Sequence, residues 1–129
     1  MKTYLNPATM HNNPAFSQVV VVREPSATIY VGGQNAITKD GQIVGDTIGE
    51  QVIQALINLE LALAAADATI DDIVHWTIWL VQGQDMMEAF GGVRQRYPEL
   101  KNPPAISVAV IAALANPRFL VEIDAVAVR

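Results

Sequence analysis

The chain has 129 residues, of which 51% are hydrophobic, so it fits one folded domain and is not intrinsically disordered. Thirteen acidic and eight basic residues give a net charge of −5, which opposes binding to nucleic acid phosphates. With no cysteine and two histidines, the chain cannot form disulfides, thiolate metal sites or a multi-histidine metal centre. No apolar run is long enough to cross a membrane and no signal peptide is visible, so we expect a cytoplasmic location and no membrane partner.

The first part of the chain predicts a loop followed by strands. Asparagine and proline residues in 1–15 are typical of a loop-rich N-terminal segment. The β-branched run 16–22 and the shorter run 28–31 predict two strands, and Gly32-Gly33 ends the second. A short third strand is expected at 42–44.

The remainder alternates helices with strands. Thr47 and Glu50 have the spacing of a capping box, which predicts a helix over about 47–66. Asp85 and Glu88 have the same spacing, so a second helix is expected from there to about residue 97. Three further strands are predicted at 73–81, 105–110 and 119–128. The first of these has no charge on either face, which is typical of a central strand.

This order of elements predicts an α+β fold over 1–129, with two helices covering one face of a mixed sheet of about six strands. Several strands are apolar on both faces, including 19–22 and 73–81. Because the helices can cover only one face, the other face needs a partner subunit. We therefore expect a homo-oligomer.

Four side chains could carry chemistry on this scaffold. Glu122 and Asp124 alternate with apolar neighbours, so both lie on the face away from the helices, where a carboxylate could hold or activate a water. Alternatively, both only keep the strand soluble. His75, on the central strand, is either a hydrogen-bonded interior group or a titrating base. Arg118 precedes the last strand and is interpreted as a surface cation, as are the helical residues Arg94 and Arg96.

The two glycines after the second strand also leave two interpretations open. Gly32 and Gly33 could form a turn with positive φ, or they could provide a bare backbone that a ligand can approach closely. No glycine-rich phosphate-binding motif accompanies them.

Several stretches, in order, resemble the RidA family, also called the YjgF or L-PSP endoribonuclease family. They are 29–34 (IYVGGQ), 51–66 (QVIQALINLELALAAA), 102–105 (NPPA) and 121–127 (VEIDAVA). The resemblance implies a chorismate-mutase-like fold and a homotrimer with three ligand clefts between subunits. It also implies hydrolysis of reactive enamines and imines to keto acids and ammonia, without a cofactor.

The resemblance also assigns site residues. It implies that Glu122 positions the attacking water and that Gly33 belongs to the pocket turn. Ile106 stands where the family has the arginine that clamps the substrate carboxylate, and isoleucine cannot supply that charged fork. Three more family positions are altered here, from tyrosine, a hydroxyl residue and asparagine to Phe16, Gly32 and Phe90.

Three functions remain open at this point. The first is hydrolysis of an imine or enamine that is less anionic than the usual substrate, with Phe16, Phe90 and Ile106 forming an apolar wall. The second is a non-catalytic trimer that binds small metabolites in the same clefts. The third is ribonuclease activity, which the acidic composition disfavours.

Overall fold

The strands of the protein form two sheets. In the computed structural model, which describes residues 1–129, a mixed four-stranded sheet has the order β3-β6-β4-β5. These strands are β3 (Thr28–Gln34), β4 (Ile73–Val81), β5 (Ala105–Ile111) and β6 (Val121–Val128). Only the β4–β5 pair is parallel. As predicted, β4 is central, whereas β5 lies at an edge of the sheet.

The N-terminal segment differs from its prediction, because it is not all loop. Strand β1 (Lys2–Leu5) pairs antiparallel with β2 (Val19–Val22) in a separate two-stranded sheet. The predicted sheet of about six strands is therefore divided into four and two. The short strand expected at 42–44 is reduced to one isolated bridge between Ile37 and Ile43.

Helix α1 (Ile48–Ala64) begins where the sequence predicts, but its cap differs in detail. The Thr47 side chain accepts a hydrogen bond from the Glu50 N–H, at 3.3 Å. The Glu50 carboxylate accepts from the Asp46 N–H rather than from that of Thr47, at 3.1 Å. The Thr47 side chain thus satisfies a free N–H of the first turn, and the Glu50 side chain fixes the loop before the helix.

Helix α2 (Met86–Arg96) also begins at its predicted cap. Asp85 accepts hydrogen bonds from the Met87 and Glu88 N–H groups. The Glu88 carboxylate, however, accepts from the Gly49 N–H at the start of α1, at 3.4 Å. This contact places a negative charge at the N-terminus of α1, where the helix dipole favours it.

Helix α1 covers one face of the four-stranded sheet, and the core lies between them. On β6 the side chains of Val121, Ile123, Ala125 and Ala127 are buried on the helix side, opposite Glu122 and Asp124 as the alternation predicts, and Val128 at the end of the strand is buried as well. The first four pack with α1 and with alternate residues of β4 in one hydrophobic cluster that includes Leu56, Leu59, Leu63, Trp76, Ile78 and Leu80. Towards the β5 edge this cover is incomplete, because Val108 and Val110 are 41% and 55% exposed.

The opposite face of this sheet has no helix on it. We call it the open face and define it by His75, Thr77, Trp79, Glu122 and Asp124, which are all half-buried. It is the face that the sequence predicts to need a partner, and nothing within one chain covers it.

The two helices are joined at both ends. A Cβ added at Gly92 of α2 would lie 3.0 Å from the Gly49 carbonyl oxygen, so the helices are in close contact there. At the other end, Arg96 donates two hydrogen bonds to Glu60, each at 2.9 Å, and the Tyr97 hydroxyl donates a third at 2.5 Å. Arg96 is exposed, as predicted, and it is also ion-paired, which the sequence did not indicate.

This cluster changes the protonation behaviour of its members. Hydrogen bonds from Arg96 hold the pKa of Glu60 below its ordinary value, against the opposing effect of burial. Burial, reinforced by the hydrogen bond to Glu60, raises the pKa of Tyr97. At neutral pH Glu60 is therefore ionised and Tyr97 keeps its proton.

We expect Glu60→Gln to lower the stability of the protein at pH 7 by about 1 kcal/mol, because a neutral amide weakens the contact between the helices. A carboxyl group whose pKa is lower in the folded than in the unfolded protein stabilises the fold at pH values above its pKa in the unfolded chain. This stabilisation is lost as the pH falls through its pKa in the folded protein. The difference in unfolding temperature between the two proteins should therefore shrink as the pH falls below about 4.5, the ordinary pKa of a glutamate carboxyl. A difference that persists to pH 2 would contradict this role.

Candidate functional site

The predicted water-positioning residue, Glu122, lies directly over Gly33 of β3. A Cβ built on Gly33 would be 2.5 Å from Cδ of Glu122 and 2.6 Å from its Oε2. Neither Gly32 nor Gly33 has a positive φ, and both lie within β3, at an irregularity in its pairing with β6. The interpretation as a left-handed turn is therefore wrong. A larger residue at 33 would force the Glu122 side chain to move, because that side chain occupies the space of a Cβ.

A second residue holds the Glu122 carboxylate, and the sequence analysis missed it. Asn35 Nδ2 donates to the Val121 carbonyl at 3.0 Å and to Glu122 Oε1 at 3.4 Å. The Asn35 carbonyl in turn accepts from Asn58 Nδ2 of α1 at 2.8 Å. The available signal was an amide residue immediately after the strand that contains Gly33. The packing of α1 against this loop thus positions the carboxylate.

Four other polar side chains of the open face are hydrogen-bonded in two pairs. Trp79 Nε1 donates to Asp124 Oδ2 at 3.3 Å, and His75 Nε2 lies 3.2 Å from Ser107 Oγ. His75 therefore has a hydrogen-bond partner, as the first of its two interpretations requires. No group of three or more His, Asp or Glu side chains is arranged to hold a metal ion.

Three other predicted site residues meet on the helix side of the sheet. Phe16, Phe90 and Ile106 line a groove of about 810 Å³ between α2 and β5. Neither Glu122 nor Gly33 contributes to this groove. Gly32 is exposed beside Gly33, and a Cβ there would contact nothing within 4 Å.

Strand register explains this separation. Ile106 is paired with Trp76, whose side chain points into the core on the helix side, whereas Glu122 is paired with Trp79 on the open face. The predicted site residues of one chain therefore form two groups on opposite faces of the same sheet. A single chain cannot bring the groove and the carboxylate into one cleft.

Arg118 does not join either group. It is exposed in the loop before β6, its carbonyl accepts a hydrogen bond from Gln51 Nε2 at 2.9 Å, and it does not line the groove. Arg94, in contrast, does line the groove, although the sequence suggested only a surface position.

Comparison with known proteins identifies the family. The family model described as Endoribonuclease L-PSP matches residues 8–129. The rat 2-iminobutanoate/2-iminopropanoate deaminase is 36% identical over 118 residues, which cover 89% of this chain and 80% of the rat protein. The human protein of the same name is 32% identical over 117 residues, covering 88% of this chain and 80% of its own length.

The structural comparison agrees. The crystal structure of YyfB from Yersinia pestis, of the conserved Rid protein family, has a TM-score of 0.88 and 30% identity to this chain, and the match covers 99% of this chain and 98% of that one. The two chains therefore share the two-helix α+β fold over almost their whole length. The chain belongs to the endoribonuclease L-PSP family, which includes the YjgF and Rid proteins, as the sequence resemblance indicates. Neither of its helices has the length and apolar composition needed to cross a bilayer.

We expect a double-mutant cycle to detect the contact between Gly33 and Glu122. Gly33→Ala should destabilise the protein by about 1–2 kcal/mol because the methyl group overlaps the glutamate side chain. In a Glu122→Ala background that loss should disappear, giving a coupling free energy of similar size. Thermal or urea unfolding of the four proteins measures it.

Gly32→Ala is the matched control for this cycle, since a methyl group at 32 has free space. It should show no coupling to Glu122→Ala. Equal coupling at positions 32 and 33 would mean that Glu122 does not lie over Gly33.

Proposed function

We propose that this protein hydrolyses a reactive imine or enamine to a carbonyl compound and ammonia, in clefts formed between the subunits of a homotrimer. The observation that carries the proposal is the Glu122 carboxylate, which is held by Asn35 and lies against the bare backbone of Gly33. The rat and human relatives named as imine deaminases support the reaction class.

The proposed subunit arrangement follows from the separation of the two groups of site residues. Glu122 and Gly33 lie on the open face of one chain, and the groove of Phe16, Phe90 and Ile106 lies on the helix side. A second chain that covers the open face brings its own groove towards the first chain's carboxylate. Each cleft then takes one group from each of two chains, and three identical contacts close a ring.

The chemistry needs only a held water and a polarised carbon–nitrogen double bond. The Glu122 carboxylate accepts a hydrogen bond from water and directs its oxygen at the imine carbon. The C–O bond forms as the C=N π bond breaks, and the nitrogen takes up a proton. The hydroxyl proton of the resulting carbinolamine then passes to the nitrogen, the C–N bond breaks, ammonia leaves and the carbonyl forms. No oxidant or reductant takes part.

A non-catalytic binding function is the second candidate. The observation that favours it is the apolar groove itself, in which Ile106 and two phenylalanines replace polar family positions. Release of ammonia from a panel of enzymatically generated imines distinguishes the two candidates. Ribonuclease activity has less support, because the chain carries a net charge of −5.

We expect two inactive variants to restore each other's activity. In Glu122→Ala the carboxylate is missing, and in Phe16→Asp the groove is spoiled, so each homotrimer should lose imine hydrolysis. In trimers of mixed composition, made by co-expression, about a quarter of the clefts combine an intact carboxylate with an intact groove.

Light scattering should first show that the wild type and both variants are trimers. Recovery near the expected quarter supports a shared cleft. A wild-type monomer at micromolar concentration, or mixed trimers with no recovered activity, would contradict the proposed cleft.

We also expect the wild type to hydrolyse small imino acids, such as those that a serine or threonine dehydratase releases, poorly. Their carboxylate costs several kcal/mol to bury unpaired beside Ile106, and an arginine would contribute roughly 1.5–3 kcal/mol through charge-assisted hydrogen bonds. Ile106→Arg should therefore raise kcat/KM by one to two orders of magnitude at most, since about 1.4 kcal/mol corresponds to a factor of ten. The gain will be partial because Phe16 and Phe90 remain. High activity of the wild type on these substrates would show that Ile106 is no obstacle.

A further inference from the structure

Trp79 is the direct neighbour of Glu122 on the open face. The two residues are paired on the antiparallel strands β4 and β6, and both are half-buried in a single chain. Side chains paired in this way have Cβ atoms about 4.5–5.5 Å apart. The Glu122 carboxylate lies over Gly33 of β3, on the other side of β6 from β4. The indole and the carboxylate are therefore adjacent and do not compete for the same space.

The indole of Trp79 is held by its polar edge. Its Nε1 donates to Oδ2 of Asp124, which is on the same face of β6, at 3.3 Å. This hydrogen bond satisfies the only polar atom of the side chain, so the rest of the ring is an apolar π surface. On β5 the residue paired with Trp79 is Ala109, which is too small to cover the indole.

The charges around this ring disfavour an anionic ligand group. The two carboxylates of the open face, Glu122 and Asp124, flank Trp79 through its strand pairing and its hydrogen bond. A second anion placed on the indole would be repelled by both of them. A neutral, flat group meets no such penalty and gains from contact with the π surface.

We propose that Trp79 determines substrate specificity, by stacking on imines or enamines whose double bond is conjugated with a flat, neutral π system such as an aromatic ring. The flat group rests on the indole, and the reacting carbon lies towards the water held by Glu122. In the proposed cleft, the partner subunit's Phe16 and Phe90 supply the opposite wall. The proposal deepens the proposed function by naming its substrate class, and it rests on that function for the reaction but not for the binding.

The contribution of stacking can be separated from that of apolar burial. Two π systems attract each other beyond the area that they bury, because an offset arrangement matches their charge distributions. A saturated ring of six carbons also removes apolar surface from water, but it is puckered and has no π face. Discrimination between a flat ring and a puckered ring therefore measures the role of the indole.

Benzamide and cyclohexanecarboxamide are a matched pair of neutral probes. Each has a carboxamide on a six-carbon ring, with a trigonal carbon that represents the imine carbon, and only the first ring is flat. Calorimetric titration of the purified full-length protein should show that benzamide binds about fivefold more tightly, which corresponds to about 1 kcal/mol.

Trp79→Leu should reduce this ratio of affinities to one or below, because leucine keeps an apolar surface but has no π face. Trp79→Phe keeps a π face without the N–H that Asp124 accepts, so a preference of at least about twofold should remain. Tyr4→Leu is the matched control, since Tyr4 lies on β1, outside the four-stranded sheet, and does not line the groove. It should leave the ratio unchanged, and circular dichroism checks that each variant is folded.

A second measurement leaves position 79 intact. The chain has two tryptophans, and the other one, Trp76, is buried on the helix side of the sheet. In Trp76→Phe the tryptophan emission comes from Trp79 alone. Benzamide should change this emission in a saturable way, with the affinity that calorimetry gives.

The same ratio in the wild type and in Trp79→Leu would overturn the proposal, as would no detectable binding of benzamide or no change in the emission of Trp79. Because the readout is binding, it can fail separately from the proposed function. Ammonia release from imines without a preference that depends on Trp79 overturns only this inference. A preference that depends on Trp79 without ammonia release from any imine overturns only the hydrolase.

Discussion

Side-chain alternation along β6 is the constraint on which the other features of this molecule depend. Val121, Ile123, Ala125 and Ala127 are buried against α1, and Glu122 lies between them on the opposite face. Fully burying a valine or isoleucine side chain stabilises a protein by about 1.5–3 kcal/mol. A register slip of one residue would expose these side chains and push two carboxylates into the core. The hydrophobic effect therefore fixes the place of the carboxylate.

Position alone does not orient that carboxylate, and here the loop after β3 contributes. Gly33 removes the methyl group that would displace Glu122, and Asn35 donates to one of its oxygens. Asn35 is itself held by Asn58, a polar residue on a helix whose other face is core. The orientation thus depends on tertiary contacts between α1, the loop and β6, which gives the α1 packing a direct effect on the candidate chemistry.

The elements that sequence analysis predicted well are those specified locally. The caps at Thr47 and Asp85 and the uncharged run 73–81 each contain their own signal within a few residues. Strand β1 was missed because its four residues stand beside a stretch of asparagine and proline and become a strand only through pairing with β2. The second halves of both capping boxes were wrong for a similar reason: Glu50 and Glu88 have acceptable alternative partners, and only the folded chain selects between them.

The residues of the site also divide into those that local sequence could predict and those that depend on tertiary contacts. Two consecutive glycines are compatible both with a turn of positive φ and with the close approach of another group. The sequence could not distinguish these two roles, because the position of the Glu122 side chain depends on the fold. Ion pairing of Arg96 across the two helices and the lining position of Arg94 both depend on where α2 packs, which no local pattern specifies. The prediction that residues 16, 90 and 106 lie close together came from the family resemblance alone, since they are far apart in the chain.

The edge position of β5 has a consequence for how a single chain behaves in solution. The strand contains no charged residue, proline or glycine, and two of its valines are exposed. Natural proteins blunt such edges because their unpaired N–H and C=O groups can recruit a strand from another molecule. A single chain with this edge uncovered therefore presents a template for edge-to-edge aggregation. A variant that cannot form the proposed trimer should then be lost from solution by aggregation.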